Sequence, residues 1–261
     1  MILSLLKKIL VLSVVVSVCV SAHGLDLKVA YQDSYPRYYY DDRGDIQGYA
    51  IEIIQLLENQ LTDMRFVSTY KRFVPWKRIQ VLLKGGELDV HIGIAKNTDR
   101  EKMFRYVDTP LYKVDRKFVI RYDDDIQANN LDDIRELGAN ATILVHIGSN
   151  MERYLRSLGG LSIATGASSI ETNMRRLVAK RGRLIYGPEL DLVGVINRLN
   201  YIDKVKLLPL VVRSNHHYMA FSKNVSELVF LAVSKALAKL EKSGELKEII
   251  TKYSAINEGA R

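Results

Sequence analysis

From residue 25 onward the chain alternates two hydrophobic periods, and that alternation is the strongest constraint on what it can fold into. Residues 25–31 alternate apolar and polar side chains, the period-2 pattern of a half-buried strand. Residues 48–61 then place Ile51, Ile53, Ile54, Leu56, Leu57 and Leu61 on a broad helical face. Residues 64–70 read as the next strand, and residues 76–83 as a helix that stops at Gly85-Gly86. Residues 88–94 form a strongly apolar strand. Strand and helix in turn, joined by short connections, predict an α/β fold with a largely parallel sheet.

The pattern resumes further on. Residues 141–147 and 184–186 read as strands, and residues 150–158, 170–179 and 190–199 as helices. Two extended passages, 117–122 and 211–222, separate these blocks and predict crossings between two lobes. The first lobe is then discontinuous, residues 23–116 with 214–261, and the second is residues 117–213. Residues 225–253 read as helical, with Asn224 and Glu227 at capping-box spacing. Leu228, Leu231, Leu237 and Leu240 are expected on the buried face, and Gly244 divides this stretch in two.

Residues 1–22 have the layout of a secretory signal peptide: Lys7-Lys8, an apolar run from Ile9 to Val20, and small residues at Ser21 and Ala22. The run is too short to span a hydrocarbon core of ~30 Å comfortably. Export to the periplasm is the expectation. Cleavage after Ala22 would remove two Lys, no acid and the lone Cys19, lowering the formal charge from +8 to +6 and leaving a cysteine-free chain. The basic residues fall in scattered pairs such as Lys77-Arg78 and Arg175-Arg176, with no nucleic-acid motif, so no nucleic-acid partner is expected. No metal or cofactor is expected either. His216 and His217 are adjacent and point to opposite faces of a strand, while His91 and His146 sit in apolar strands that suit core imidazoles.

Five segments carry a family resemblance. They are Ser34-Tyr35-Pro36-Arg37-Tyr38 with Asp42 to Tyr49; Pro75-Trp76-Lys77-Arg78 with Gly86 to Val90; Asn97 to Lys102 with Asp108 to Tyr112; Ile147-Gly148-Ser149; and Tyr218 to Lys223 with the Ser243-Gly244-Glu245 break. In this order and spacing the chain resembles the solute-binding proteins of the polar amino-acid class that serve ABC transporters (bacterial extracellular solute-binding proteins, family 3). The resemblance implies the type II periplasmic-binding fold: two α/β lobes joined by paired hinge strands, closing over a small carboxylate-bearing ligand. It also implies a monomer that delivers its ligand to a membrane permease.

By that resemblance Arg100 grips the ligand carboxylate, as a planar guanidinium can through two parallel hydrogen bonds. Asn97 stands where the family usually has Thr. Trp76 aligns with an aromatic that stacks on the ligand, though a core position explains it equally well. Arg78 is a second anion contact or a solvated helix residue. Gly148-Ser149, between a strand and a helix, offers amide donors to a carboxylate, or simply a tight turn with Ser as cap. Tyr31, Tyr35, Tyr38, Tyr39 and Tyr40 suggest an aromatic wall or packing beneath the loop, and Asp33 could meet an ammonium. Residues 182–189 lack the early Asp that meets the α-amino group in the family, leaving Glu189 as the nearest acid. No catalytic residue is assigned. Two alternatives stay open: an enzyme resembling cyclohexadienyl dehydratases, which would need a general acid in the cleft, and a periplasmic sensor subunit.

Overall fold

Strand β1 (Leu25–Val29) begins a computed structural model that describes residues 24–167 and 169–255; the expected signal peptide lies outside them. Leu27 and Val29 are buried while their neighbours face out, as the alternation dictates. A small hairpin of β2 (Tyr39–Tyr40) and β3 (Ile46–Gln47) leads into helix Tyr49–Gln60, which buries Ile53, Ile54 and Leu57. The chain returns as β4 (Met64–Ser68), parallel to β1, so this unit is a βαβ crossover. After helix Trp76–Gly85, strand β5 (Val90–Ala95) is almost wholly buried. Asp89 ties it to β1, donating its amide to Lys28 O (2.9 Å) and accepting from Lys28 N on Oδ2 (2.7 Å).

A short strand β6 (Arg105–Tyr106) precedes the long strand β7 (Tyr112–Arg121). The second block holds β8 (Ile143–His146), β9 (Ile163–Ala167), β10 (Leu184–Pro188) and β11 (Val205–Leu207). The strand β12 (Arg213–Phe221) runs back beside β7, pairing antiparallel from Arg213↔Arg116 to His217↔Tyr112. Beyond that pairing β12 joins β5 and β6, while β7 joins β10 and β11. Two strands therefore pass between two layered regions. Each region has its own apolar core of two clusters: around Ile53, Leu57 and Val90 and around Ile79, Leu83 and Ile94 in the first, and around Phe118, Ile143 and Leu155 and around Leu144, Leu177 and Leu192 in the second.

Helix Glu189–Leu199 belongs to the second region and touches the first. Leu190 belongs to the same apolar cluster as Tyr38, Tyr112 and Ile53 of the first region. Gly194 faces the loop before β2: a Cβ there would fall 2.9 Å from a Tyr35 ring carbon and 3.0 Å from Pro36 Cδ. Asn197 Nδ2 donates to Ala255 O (2.9 Å), and Arg198 lies over the Tyr35 ring at 5.1 Å.

Two expectations for the C-terminal stretch are corrected. Ser226, not Asn224, caps helix Glu227–Ser243, accepting from Val229 N (3.4 Å). Asn224 instead lies against Gly86 at the end of helix Trp76–Gly85, its side chain donating to Gly85 O. The buried face of helix Glu227–Ser243 is Phe230, Val233, Leu237 and Leu240, whereas Leu228 and Leu231 are 82% and 52% exposed. The division at Gly244 stands, with φ of +88°.

Candidate ligand site between the lobes

The strand β5 ends at the place where the two regions meet, and its last turn outward positions the first cation. Asn97 caps the short helix Thr98–Met103, its side-chain oxygen accepting from Arg100 N (3.0 Å). The cap fixes the backbone of Arg100, whose Nη1 donates to Ala95 O (2.9 Å) and whose guanidinium lies over the Trp76 ring at 5.3 Å. Trp76 in turn lies 5.2 Å from the buried His91 ring. Partial burial lowers the pKa of Arg100 from its ordinary value, and its protein partners are neutral.

Arg37 comes from the loop before β2 and is 9% exposed. Its Nη1 donates to Gly93 O (2.6 Å) and its Nη2 to Ser34 Oγ (3.0 Å), while its buried Nε has no hydrogen-bond partner among the described residues. Gly93 makes this approach possible, because a Cβ there would lie 2.5 Å from Tyr112 Oη and 3.2 Å from Arg37 Cδ. Arg116, from β7 on the hinge, donates from Nη1 to Asn215 Oδ1 (2.6 Å) on β12. One cavity of about 190 Å³ is bordered by Arg37, Arg100, Arg116, Trp76, His91 and His217, with Asn150 reaching in from the second region. An adjoining cavity of about 80 Å³ shares Arg37, Arg116 and His217 and is closed by Asp191. Both are smaller than the ~300–1,000 Å³ of drug-sized sites, which fits a solute of amino-acid size. A larger, mostly apolar groove of about 370 Å³ lies outside this junction, between residues 110–113 and the C-terminal helices, and gathers no comparable cluster of cations.

The titratable groups of the cleft are set by burial. Desolvation, and then the charge of Arg37, pushes His91 and His217 down to about 3, so both imidazoles are neutral at pH 7. His217 Nδ1 lies 3.1 Å from Tyr112 Oη. Burial pushes Asp191 up to about 6, opposed by Arg37 and Arg116. A raised carboxyl pKa destabilises the folded chain above that pKa and not below the unfolded value. Asp191→Asn is therefore expected to be more stable than the parent at pH 7.5, by up to ~3 kcal/mol, with the margin shrinking between pH 6 and pH 4. Melting curves across that range check it.

The expected site residues fall in different places. Arg100 and Trp76 border the cavity, and Asn97 holds Arg100. Tyr38 lies beneath the cleft, 1% exposed, its hydroxyl donating to Ile92 O (3.3 Å) and its ring 5.6 Å from the Arg37 guanidinium. The Gly148 amide is already bound to Glu152 Oε2 (2.7 Å), and Ser149 caps helix Asn150–Leu158 by accepting from Glu152 N (3.1 Å). Glu189 pairs with Lys117 Nζ at 2.6 Å. Asp33 and Arg78 are exposed and border neither cleft cavity. Sequence reasoning missed Arg37, Arg116, His217 and Asp191. The signal for Asp191 was its offset from Glu189: two residues in a helix differ by about 200° in direction, so only one of them can face the cleft.

Two α/β regions, two crossing strands and a polar cleft at their junction define a two-lobe receptor of the type II periplasmic-binding fold. Residues 27–256 match the model of the bacterial extracellular solute-binding proteins, family 3, and the chain belongs to that family. It is similar to the L-cystine-binding protein TcyJ of Bacillus subtilis, 22% identical over 217 residues, covering 82% of this chain and 77% of that one. Among solved structures it is similar to a probable amino-acid ABC transporter extracellular-binding protein of Bacillus subtilis, with TM-score 0.73 and 20% identity over 88% of this chain and 96% of that one. A histidine kinase sensor domain with similarity to periplasmic binding proteins gives TM-score 0.69 and 21% identity, over 90% and 98%. Among the described residues no group of side chains is arranged to hold a metal, and no helix is long and apolar enough to cross a membrane.

Proposed function

We propose that this chain captures a small carboxylate-bearing solute, an amino acid or a close relative, by closure of its two lobes. It then delivers the solute to the membrane permease of an ABC transporter. In this proposal it reaches the periplasm through a cleaved signal peptide and acts as a monomer. Its lobes are residues 23–116 with 214–261, and residues 117–213. The observation that carries the proposal is Arg100, a half-buried guanidinium stacked on Trp76 whose protein partners are all neutral. Such a group is costly to desolvate unless an anion completes it, and a ligand carboxylate does so with bidentate geometry.

The test is thermal shift against amino acids and small carboxylates. A ligand present at about 100 times its Kd adds ~2.7 kcal/mol to the stability of the native state, which for a chain of this size raises Tm by roughly 5–10 °C. Silence across the whole panel would overturn the proposal. A second function is favoured by one observation, the protonatable Asp191 carboxyl in the cleft, whose pKa near 6 suits a general acid. Prephenate belongs in the panel for that reason, and phenylpyruvate accumulating in that arm would point to a dehydratase instead.

A further inference from the structure

We infer that the cleft selects a solute bearing two acidic groups, because three guanidinium groups, of Arg37, Arg100 and Arg116, converge on it against the single carboxylate of Asp191. The inference rests on the proposal that this cleft is the solute site, and it goes further by naming the solute's charge.

Among the described residues each of the three guanidinium groups is bonded to neutral groups alone: Gly93 O, Ser34 Oγ and the Tyr112 hydroxyl for Arg37, Ala95 O for Arg100, and Asn215 Oδ1 for Arg116. Among the described residues no ion pair involves any of them. Elsewhere this fold neutralises arginines of similar burial. Arg121 and Arg183 both bind the buried Asp124, at 3.0 Å each. The cleft arginines lack such internal neutralisation, and the Arg37 Nε is buried with no hydrogen-bond partner among the described residues.

Arginine stays protonated at any relevant pH, and the two cleft imidazoles are neutral. With Asp191 ionised, the empty cleft carries a net charge of about +2. A zwitterionic solute leaves that charge unchanged inside a closed, desolvated space, and a cationic one raises it. A solute with two acidic groups lowers it, to about zero if it has no amine and to about +1 if it has one. Like charges repel more strongly as the effective dielectric falls on closure, so closure rewards the doubly acidic solute. Arg100 takes one acidic group against Trp76. Arg37 and Arg116 take the other on the hinge side, where Asp191 stands ready for an ammonium if one is present.

Calorimetric titration of the exported chain, in a buffer free of carboxylates and phosphate, tests this with four arms. These are L-glutamate and L-aspartate; the amine-free dicarboxylates succinate and 2-oxoglutarate; the neutral L-glutamine and L-cystine; and the cationic L-arginine. The expected result is binding in one of the first two arms at least 100-fold tighter than in the neutral and cationic arms. The stronger of the two acidic arms then shows whether an amine is required. Arg116→Gln should cut that affinity at least tenfold with the melting curve retained. It is preferred to an Arg37 variant, which could fail to fold. Binding of L-glutamine, L-cystine or L-arginine as tightly as any acidic solute overturns this inference and leaves the proposed function standing. No heat in any arm overturns this inference, and together with silence across the whole thermal-shift panel it overturns both.

Discussion

Arg100→Ala is expected to weaken solute binding by roughly 30- to 1,000-fold while leaving the fold intact. A bidentate, charge-assisted contact with a carboxylate is worth ~2–4 kcal/mol when one partner is removed, and each 1.4 kcal/mol is about tenfold in Kd. The fold should tolerate the change because among the described residues the Arg100 side chain gives only one hydrogen bond, to Ala95 O, and one ring contact, to Trp76, while the backbone bond from Arg100 N to Asn97 Oδ1 survives the substitution. Helix Thr98–Met103, which carries it, buries none of its residues. Melting temperature should move by no more than a few degrees, and calorimetry reads the affinity. Unchanged affinity would remove Arg100 from the site.

The second large effect concerns stability, far from the cleft. Asp124 is buried, its side chain 2% exposed, and it accepts from Arg121 Nη2, Arg183 Nε and Arg183 Nη2, each at 3.0 Å, and from Ile126 N at 3.1 Å. Breaking a buried pair by removing one partner costs ~3–5 kcal/mol, because the other charge remains without compensation. Here two exposed acids soften the loss: Asp125 still pairs with Arg183 and Asp123 lies 3.9 Å from Arg121. Asp124→Asn should therefore cost about 3 kcal/mol, a drop in Tm of roughly 6–12 °C.

The pH dependence has a definite sign. Hydrogen bonds and the charges of Arg183 and Arg121 hold the Asp124 carboxyl below the usual carboxylate range, against the opposing effect of its burial. A depressed pKa stabilises the folded chain above the unfolded value, ~3.9, and that contribution is lost as the pH falls through the lower folded value. Parent and Asp124→Asn should thus differ fully at pH 7 and converge in acid below about pH 4. Melting within about 2 °C of the parent at pH 7 would show that the cluster contributes little.

Much of the architecture was legible because burial imposes a period on the sequence. Helices Tyr49–Gln60 and Asn150–Leu158 and strands β1 and β5 each present an apolar face to one of the two cores. Where that face is weak the elements were unreadable. Helix Thr98–Met103 buries no residue, and β9, Ile-Ala-Thr-Gly-Ala, buries only Ala167 fully. Helix Glu227–Ser243 and its end at Gly244 follow the expectation, but its buried face departs from it at Leu228 and Leu231: leucines stand on both faces, and only packing decides that Leu237 is inside while Leu228 is 82% exposed.

The candidate site was half legible. Arg100 and Trp76 could be placed from the segments around them. Arg37, Arg116 and Asp191 could not, because what marks them is the lack of a neutralising partner, and pairing is settled only in three dimensions. Lys117 takes Glu189, Glu152 takes the Gly148 amide, and Asp124 takes two arginines. The charges left over, together with Asp191, define the cleft.

Trp76 is the only tryptophan in the chain, and it borders the same cavity as Arg100. Its emission, titrated with the solute that raises Tm most, therefore reports on the cleft alone. The expected result is a saturable change in intensity or wavelength, with a midpoint matching the calorimetric Kd in the parent and shifted at least 30-fold in Arg100→Ala. Emission that stays constant while calorimetry shows binding would mean that the solute sits elsewhere, and would contradict the cleft as the binding site.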